Sequence, residues 1–120
     1  MTPTARSLAE CRRRGWVAQV VERWNPHARV RNDLFGVLDI VALIPPELTP
    51  QGEILGSTQL IGIQACAGSS HAARIAKVRA EPRLKLWLDT GARAEVWSWS
   101  KRGKRSERKL WRLREEAVLP

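Results

Sequence analysis

Asn32-Asp33-Leu34-Phe35-Gly36-Val37-Leu38-Asp39-Ile40-Val41-Ala42-Leu43 is the stretch on which the reading of this chain turns. Val37, Leu38, Ile40, Val41 and Leu43 read as a buried strand, because an apolar, β-branched run of this length suits the inside of a sheet. Asp39 interrupts the run. A buried carboxylate costs several kcal/mol unless it is paired, protonated or bound to a metal. An arginine or a set of backbone N–H groups is one way to hold it, and a metal is the other.

The flanking segments supply partners for that strand. Thr2-Pro3 is an N-cap followed by proline at the first helical position, and Gly15 ends the helix. Trp16 to Trp24 alternates as a strand, with Trp16, Ala18, Val20, Glu22 and Trp24 on one face. Glu22 thus points to a largely apolar side. Arg29 and Arg31 fall in the loop that follows, near Asp33, and offer it a salt bridge. On a straight strand Asp33 and Asp39 would stand about 20 Å apart, and only a bend at Gly36 would bring them together.

Pro45 to Gly56 reads as a long hairpin loop. Thr58 to Cys66 is the next strand, with Gln64 and Cys66 on one face. Gly68-Ser69-Ser70 opens a helix on which Ala72, Ile75 and Ala76 pack, while Ser70, Arg74 and Lys77 form a polar stripe. Glu81-Pro82 breaks it, a second short helix runs to Gly91, and strands follow over 94–100 and 110–114. The expected fold is a single α/β domain over residues 1–120, with a mixed central sheet flanked by helices.

The 120 residues carry a formal net charge of +9. Between Lys101 and Arg114 eight Lys or Arg face a single Glu, so this basic segment contributes +7 of that charge. Lys101, Arg102, Lys104 and Arg105 begin it, and Arg12-Arg13-Arg14 is a second cluster. Such a distribution points to a polyanionic partner, above all nucleic acid. Sixteen of the twenty-one cations are arginine, which suits bidentate phosphate contact. No apolar run is long enough to cross a bilayer and no signal-peptide core is present, so no membrane partner and a cytoplasmic location are expected. Cys11 and Cys66 form no CxxC pair and suggest no zinc site.

Asp39 and Gln64 lie near the ends of neighbouring strands, and both are oxygen donors. Mg²⁺ takes oxygen ligands, keeps several waters and binds phosphate. Asp33 and Glu22 are further candidate ligands, and Glu22 is also a candidate base. Ser69 and Ser70, at a helix start, can receive a phosphate on free N–H groups or simply cap the helix. His71, close to Gln64, is a weaker candidate for a phosphate contact.

These residues resemble the PD-(D/E)XK, or restriction-endonuclease-like, nuclease superfamily, and within it small resolvase-like and phage-type members. The resemblance spans roughly Trp16 to Trp99. It rests on Asp33-Leu34-Phe35-Gly36-Val37-Leu38-Asp39, on Ile61-Gly62-Ile63-Gln64-Ala65-Cys66 and on Gly68-Ser69-Ser70-His71-Ala72-Ala73-Arg74. It implies an αβββαβ(β) core and a metal-dependent endonuclease that hydrolyses DNA with Mg²⁺ or Mn²⁺, on branched or phage DNA, as a homodimer in a prokaryotic or phage-infected cell. Asp39 takes the place of the metal-binding Asp, and Gln64 that of the second acidic residue. Cys66 stands where lysine is expected, and Lys77 is the candidate substitute. Arg29, Arg31, Ser69, Ser70, Arg74 and the basic segment would hold nucleic acid. The departures at Gln64 and Cys66 equally fit a nucleic-acid-binding module that has lost catalysis.

Overall fold

The computed structural model describes residues 1–103 and 108–119. Helix α1 (Pro3–Arg13) starts where the Thr2 hydroxyl accepts the Ala5 N–H at 3.1 Å. It stops at Gly15, whose φ of +80° lies in the region glycine tolerates. Strands β1 (Val17–Val20), β2 (Arg23–Asn25), β3 (Val30–Asn32) and β4 (Ile40–Ile44) follow. After a small hairpin of β5 (Glu47–Leu48) and β6 (Ile54–Leu55) come the long strand β7 (Gln59–Ala67) and a 3₁₀ turn at Gly68–Ser70. Helices α2 (His71–Ala80) and α3 (Pro82–Asp89) lead to β8 (Arg93–Arg102) and β9 (Leu110–Ala117).

The central sheet has the order β1-β4-β7-β8-β9. Only β7 and β8 are parallel, and the α2–α3 pair is the crossover that a parallel connection requires. The fold is therefore a compact α/β arrangement around a mixed five-stranded sheet, as the sequence leads one to expect.

The sheet has an apolar layer on each face. Cys11, Ile40, Ala42, Ile61, Ile63 and Trp97 form the cluster beneath α1. Val37, Leu38, Cys66, Ile75, Val78, Leu84 and Val96 belong to the cluster beneath α2 and α3. Gly62 makes room for Leu38, since a Cβ there would lie 2.5 Å from the Leu38 Cδ1 atom.

Four local expectations need correction. The central strand begins at Ile40, not at Val37. Phe35 (φ +56°) and Gly36 (φ +74°) instead reverse the chain, so that Leu34 and Leu38 bridge each other. Trp16 to Trp24 is two strands: the chain leaves the main sheet after Val20, and Arg23–Asn25 pairs with Val30–Asn32 as a separate ribbon. Arg31 consequently sits in a strand and not a loop. On α2 the buried residues are His71, Ile75 and Val78, whereas Ala72 and Ala76 are exposed.

Candidate metal centre

Asp39 occupies the residue just before β4, where its backbone is tied on both sides. Its N–H donates to the Ile63 carbonyl and its carbonyl accepts the Val21 N–H, each at 2.8 Å. The side chain is only 4 % exposed. Oδ2 accepts the Ala65 N–H at 2.7 Å and the Gln64 Nε2–H at 2.5 Å. Asp39 and Gln64 therefore converge from adjacent strands.

Two more carboxylates reach the same place. The Phe35–Gly36 reversal folds Asp33 back beside Asp39. The β2–β3 register pairs Arg23 with Asn32, so Glu22 and Asp33 are the next residues at the base of that ribbon. Carboxylate oxygens of Glu22, Asp33 and Asp39 all lie within 4.8 Å of one another. The about 20 Å separation expected of a straight strand is abolished by a turn that needs two consecutive residues with positive φ.

The electrostatics are those of a cluster only partly compensated. Among the described residues no ion pair involves Asp39 or Asp33. Arg31 sits 3.5 Å from the Glu22 carboxylate, not beside Asp33, and the Thr4 hydroxyl donates to Glu22 at 3.3 Å. Burial pushes the Asp39 carboxyl up from 3.8 to about 7; the Ala65 N–H opposes this, and the neighbouring Asp33 and Glu22 add to it.

Gln64 carries an independent sign of a missing partner. It is 1 % exposed, and its Oε1 atom has no hydrogen-bond partner among the described residues. A buried polar atom left in that state is uncommon and calls for an explanation such as an ion. The amide can turn about its last bond, exchanging nitrogen for oxygen toward Asp39. Oxygen would face oxygen there, which a cation lying among them would favour. Three carboxylates form a hard donor set that fits Mg²⁺ or Mn²⁺, and the Gln64 amide, turned over, would add an oxygen to it.

The remaining residues of interest are spread more widely. Cys66 is buried, and its thiol is pushed up first by burial, which leaves it a poor thiolate. Lys77 is exposed on α2, and Arg74, half-buried one turn earlier, is the cation whose charge Cys66 feels. Ser69 is exposed and Ser70 half-buried, and neither side chain caps the helix. His71 faces inward: Nδ1 lies 2.6 Å from Ser98 Oγ and Nε2 3.0 Å from Glu116 Oε1, so it is committed to the sheet and not to a phosphate. Arg29, Arg31, Lys101 and Arg102 are exposed. Lys104 and Arg105 lie outside the described residues.

Sequence reasoning missed Thr4 and Arg31 as the partners of Glu22. It also missed the Ala65 N–H as the principal backbone support of Asp39. Backbone donors leave no mark on side-chain patterns, so nothing in the sequence signals the last of these.

Among the described residues no helix is long and apolar enough to cross a membrane. Comparison with protein-family models, with curated proteins and with solved structures gives no match for this chain.

Proposed function

We propose that this protein is a metal-dependent endonuclease that hydrolyses DNA phosphodiester bonds with Mg²⁺ or Mn²⁺, as its resemblance to the PD-(D/E)XK superfamily implies. The observation that carries this reading is the meeting of Glu22, Asp33 and Asp39 against the buried Gln64 amide in a chain of net charge +9. An acidic pocket repels a polyanion unless a cation occupies it, so an acidic site on a basic chain fits metal-bridged phosphate. The mixed five-stranded sheet with a helical crossover between its parallel strands supports the reading.

Asp39, Asp33 and Gln64 would hold the cation, with Glu22 as an accessory ligand or as the base. When bound, the cation supplies Lewis acidity to a phosphoryl oxygen and a water of lowered pKa. The protein's part is positional. Ala65 N–H and the ties to Ile63 and Val21 fix Asp39, so little rearrangement is needed on binding. Glu22, half-buried and beside Arg31, would as the base accept a proton from the attacking water. Arg74 and the exposed Arg29, Arg31, Lys101 and Arg102 would hold phosphates of the nucleic acid. A homodimer belongs to the same proposal.

Incubating linear, supercoiled and branched DNA with the protein in Mg²⁺ or Mn²⁺ tests it. Cleavage by the wild type that Asp39→Asn and chelator both abolish is the expected result. Salt-sensitive DNA binding with no cleavage under any of these conditions would replace it with the second reading, a binding module without catalysis. That reading is favoured by the buried thiol of Cys66 and the outward position of Lys77.

A further inference from the structure

The β2–β3 ribbon forms a sheet of its own, separate from the five-stranded one, and its two strands join the body at Glu22 and Asp33. Its tip is shaped by the Asn25 side chain, whose Oδ1 accepts the His27 and Ala28 N–H groups. Trp24 is 59 % exposed and belongs to neither apolar cluster. Large aromatics are usually among the better covered residues, and this one is bare among the exposed Arg23, Arg29 and Arg31.

The register gives the ribbon's faces. Trp24 lies opposite Arg31 and two residues beyond Glu22, so Glu22, Trp24, Arg31 and Asp33 share one face. The Trp24 backbone therefore stands about 7 Å along the chain from that of Glu22. A cleft of about 410 Å³ runs beside the ribbon, lined among others by Arg23, Trp24, Asp33 and Phe35.

We propose that Trp24 is a stacking platform for an unpaired nucleotide next to the phosphate held at the carboxylate cluster, with Arg31, on the same face of the ribbon, gripping the flanking backbone. The inference rests on the nucleic-acid reading above and narrows its substrate to DNA with single-stranded or unpaired residues at the site. An aromatic face flanked by arginines binds a base without reading its sequence. In an intact duplex the base faces are occupied by their neighbours, so only an unpaired base can meet the indole.

The test is fluorescence anisotropy with a labelled oligonucleotide, single-stranded or annealed to its complement, in Ca²⁺ as the oxygen-ligand cation. Cleavage in Mg²⁺ is followed separately. Wild type should bind the single strand more tightly than the duplex. Trp24→Ala should weaken single-strand binding by about five- to 150-fold, Trp24→Leu nearly as much, and Trp24→Phe much less. Duplex affinity should change little. Equal losses on both DNAs, or none, would overturn the proposal. So would normal binding by Trp24→Ala together with loss of an oligomer in sedimentation, since Trp24 would then pack on a second copy. A Trp24-dependent preference without cleavage sinks the nuclease reading and leaves the platform. Cleavage without that preference does the reverse. Unchanged melting of the Phe and Leu variants shows that the loss comes from the indole and not from folding.

Discussion

Asp39 and Glu95 are both acidic, both buried in the central sheet, and held in opposite ways. Glu95, in β8, uses both oxygens: Oε1 accepts the Trp97 indole N–H at 2.9 Å, and Oε2 takes Arg93 at 2.6 Å. Its charge has a counter-charge on the same strand two residues away. Asp39 has backbone and amide donors but two carboxylates for neighbours. The polar group beneath α2 belongs with Glu95, since both nitrogens of His71 are engaged and Arg114 also reaches Glu116. The lesson is that burial alone does not mark a site. A buried polar group whose requirements are met within the chain is architecture, whereas one whose requirements are left open points to something the chain binds.

The largest effect should separate the two carboxylates by activity. Asp39→Asn keeps the shape and removes the charge, and should lower metal-dependent cleavage by on the order of 10³-fold, because a catalytic cation supplies several kcal/mol. Glu95→Gln should stay near wild type in the same assay. Equal losses in both would mean that general stability, and not a metal, links Asp39 to activity.

The second effect is on stability against pH. The carboxyl of Asp39 titrates at about 7 in the folded chain and 3.8 without its surroundings, so the folded state binds more protons between those values. Its contribution is thus greatest below about pH 4 and is lost as pH rises through 7, by a few kcal/mol. Glu10, held near 2 chiefly by its hydrogen bond to Arg13, acts with the opposite sign but only below about 4.5. Denaturant melts from pH 4 to 8 in chelator should show this fall in wild type and not in Asp39→Asn. Mg²⁺ should reverse it at pH 8, where the carboxylate is charged, and do little at pH 5. A profile that is flat, or equally steep in the variant, would place the titration elsewhere.

Glu95→Ala should cost about 1–3 kcal/mol in a urea melt, since it leaves the fully buried indole N–H of Trp97 without an acceptor. The cost is held down because Arg93 is half-exposed and also donates to Gln59. Metal should not alter it, in contrast to Asp39.

How far the sequence discloses this arrangement depends on which force sets each part. The sheet, its two helical layers and the meeting of Asp39 with Gln64 follow from apolar runs and punctuation, which are local signals. The turn at Phe35–Gly36 does not. Phe is a poor residue for positive φ, and Val37 and Leu38 look like strand because they are buried, although their burial comes from filling the layer under α2. That one reversal decides whether Asp33 is a ligand or a distant acid. Similarly, His71 looks like a free polar residue at a helix start, because its partners Ser98 and Glu116 arrive from 27 and 45 residues away.

The smallest effect concerns the cation that serves the site. Lys77 lies on the exposed side of α2, and Arg74 is half-buried one turn nearer the strand end that bears Gln64 and Cys66. Lysine has a long reach, but a solvated ammonium drawn toward the sheet gives up side-chain freedom and hydration for a contact that its neighbour is already positioned to make. Lys77→Ala should therefore change stability by less than about 0.5 kcal/mol and cleavage by no more than about twofold. Arg74→Ala should lower cleavage clearly more, with a weaker salt dependence of DNA binding as one phosphate contact is lost. If the order of the two is reversed in single-turnover cleavage, the lysine swings in when DNA binds, and the helix contributes its exposed stripe and not its buried edge.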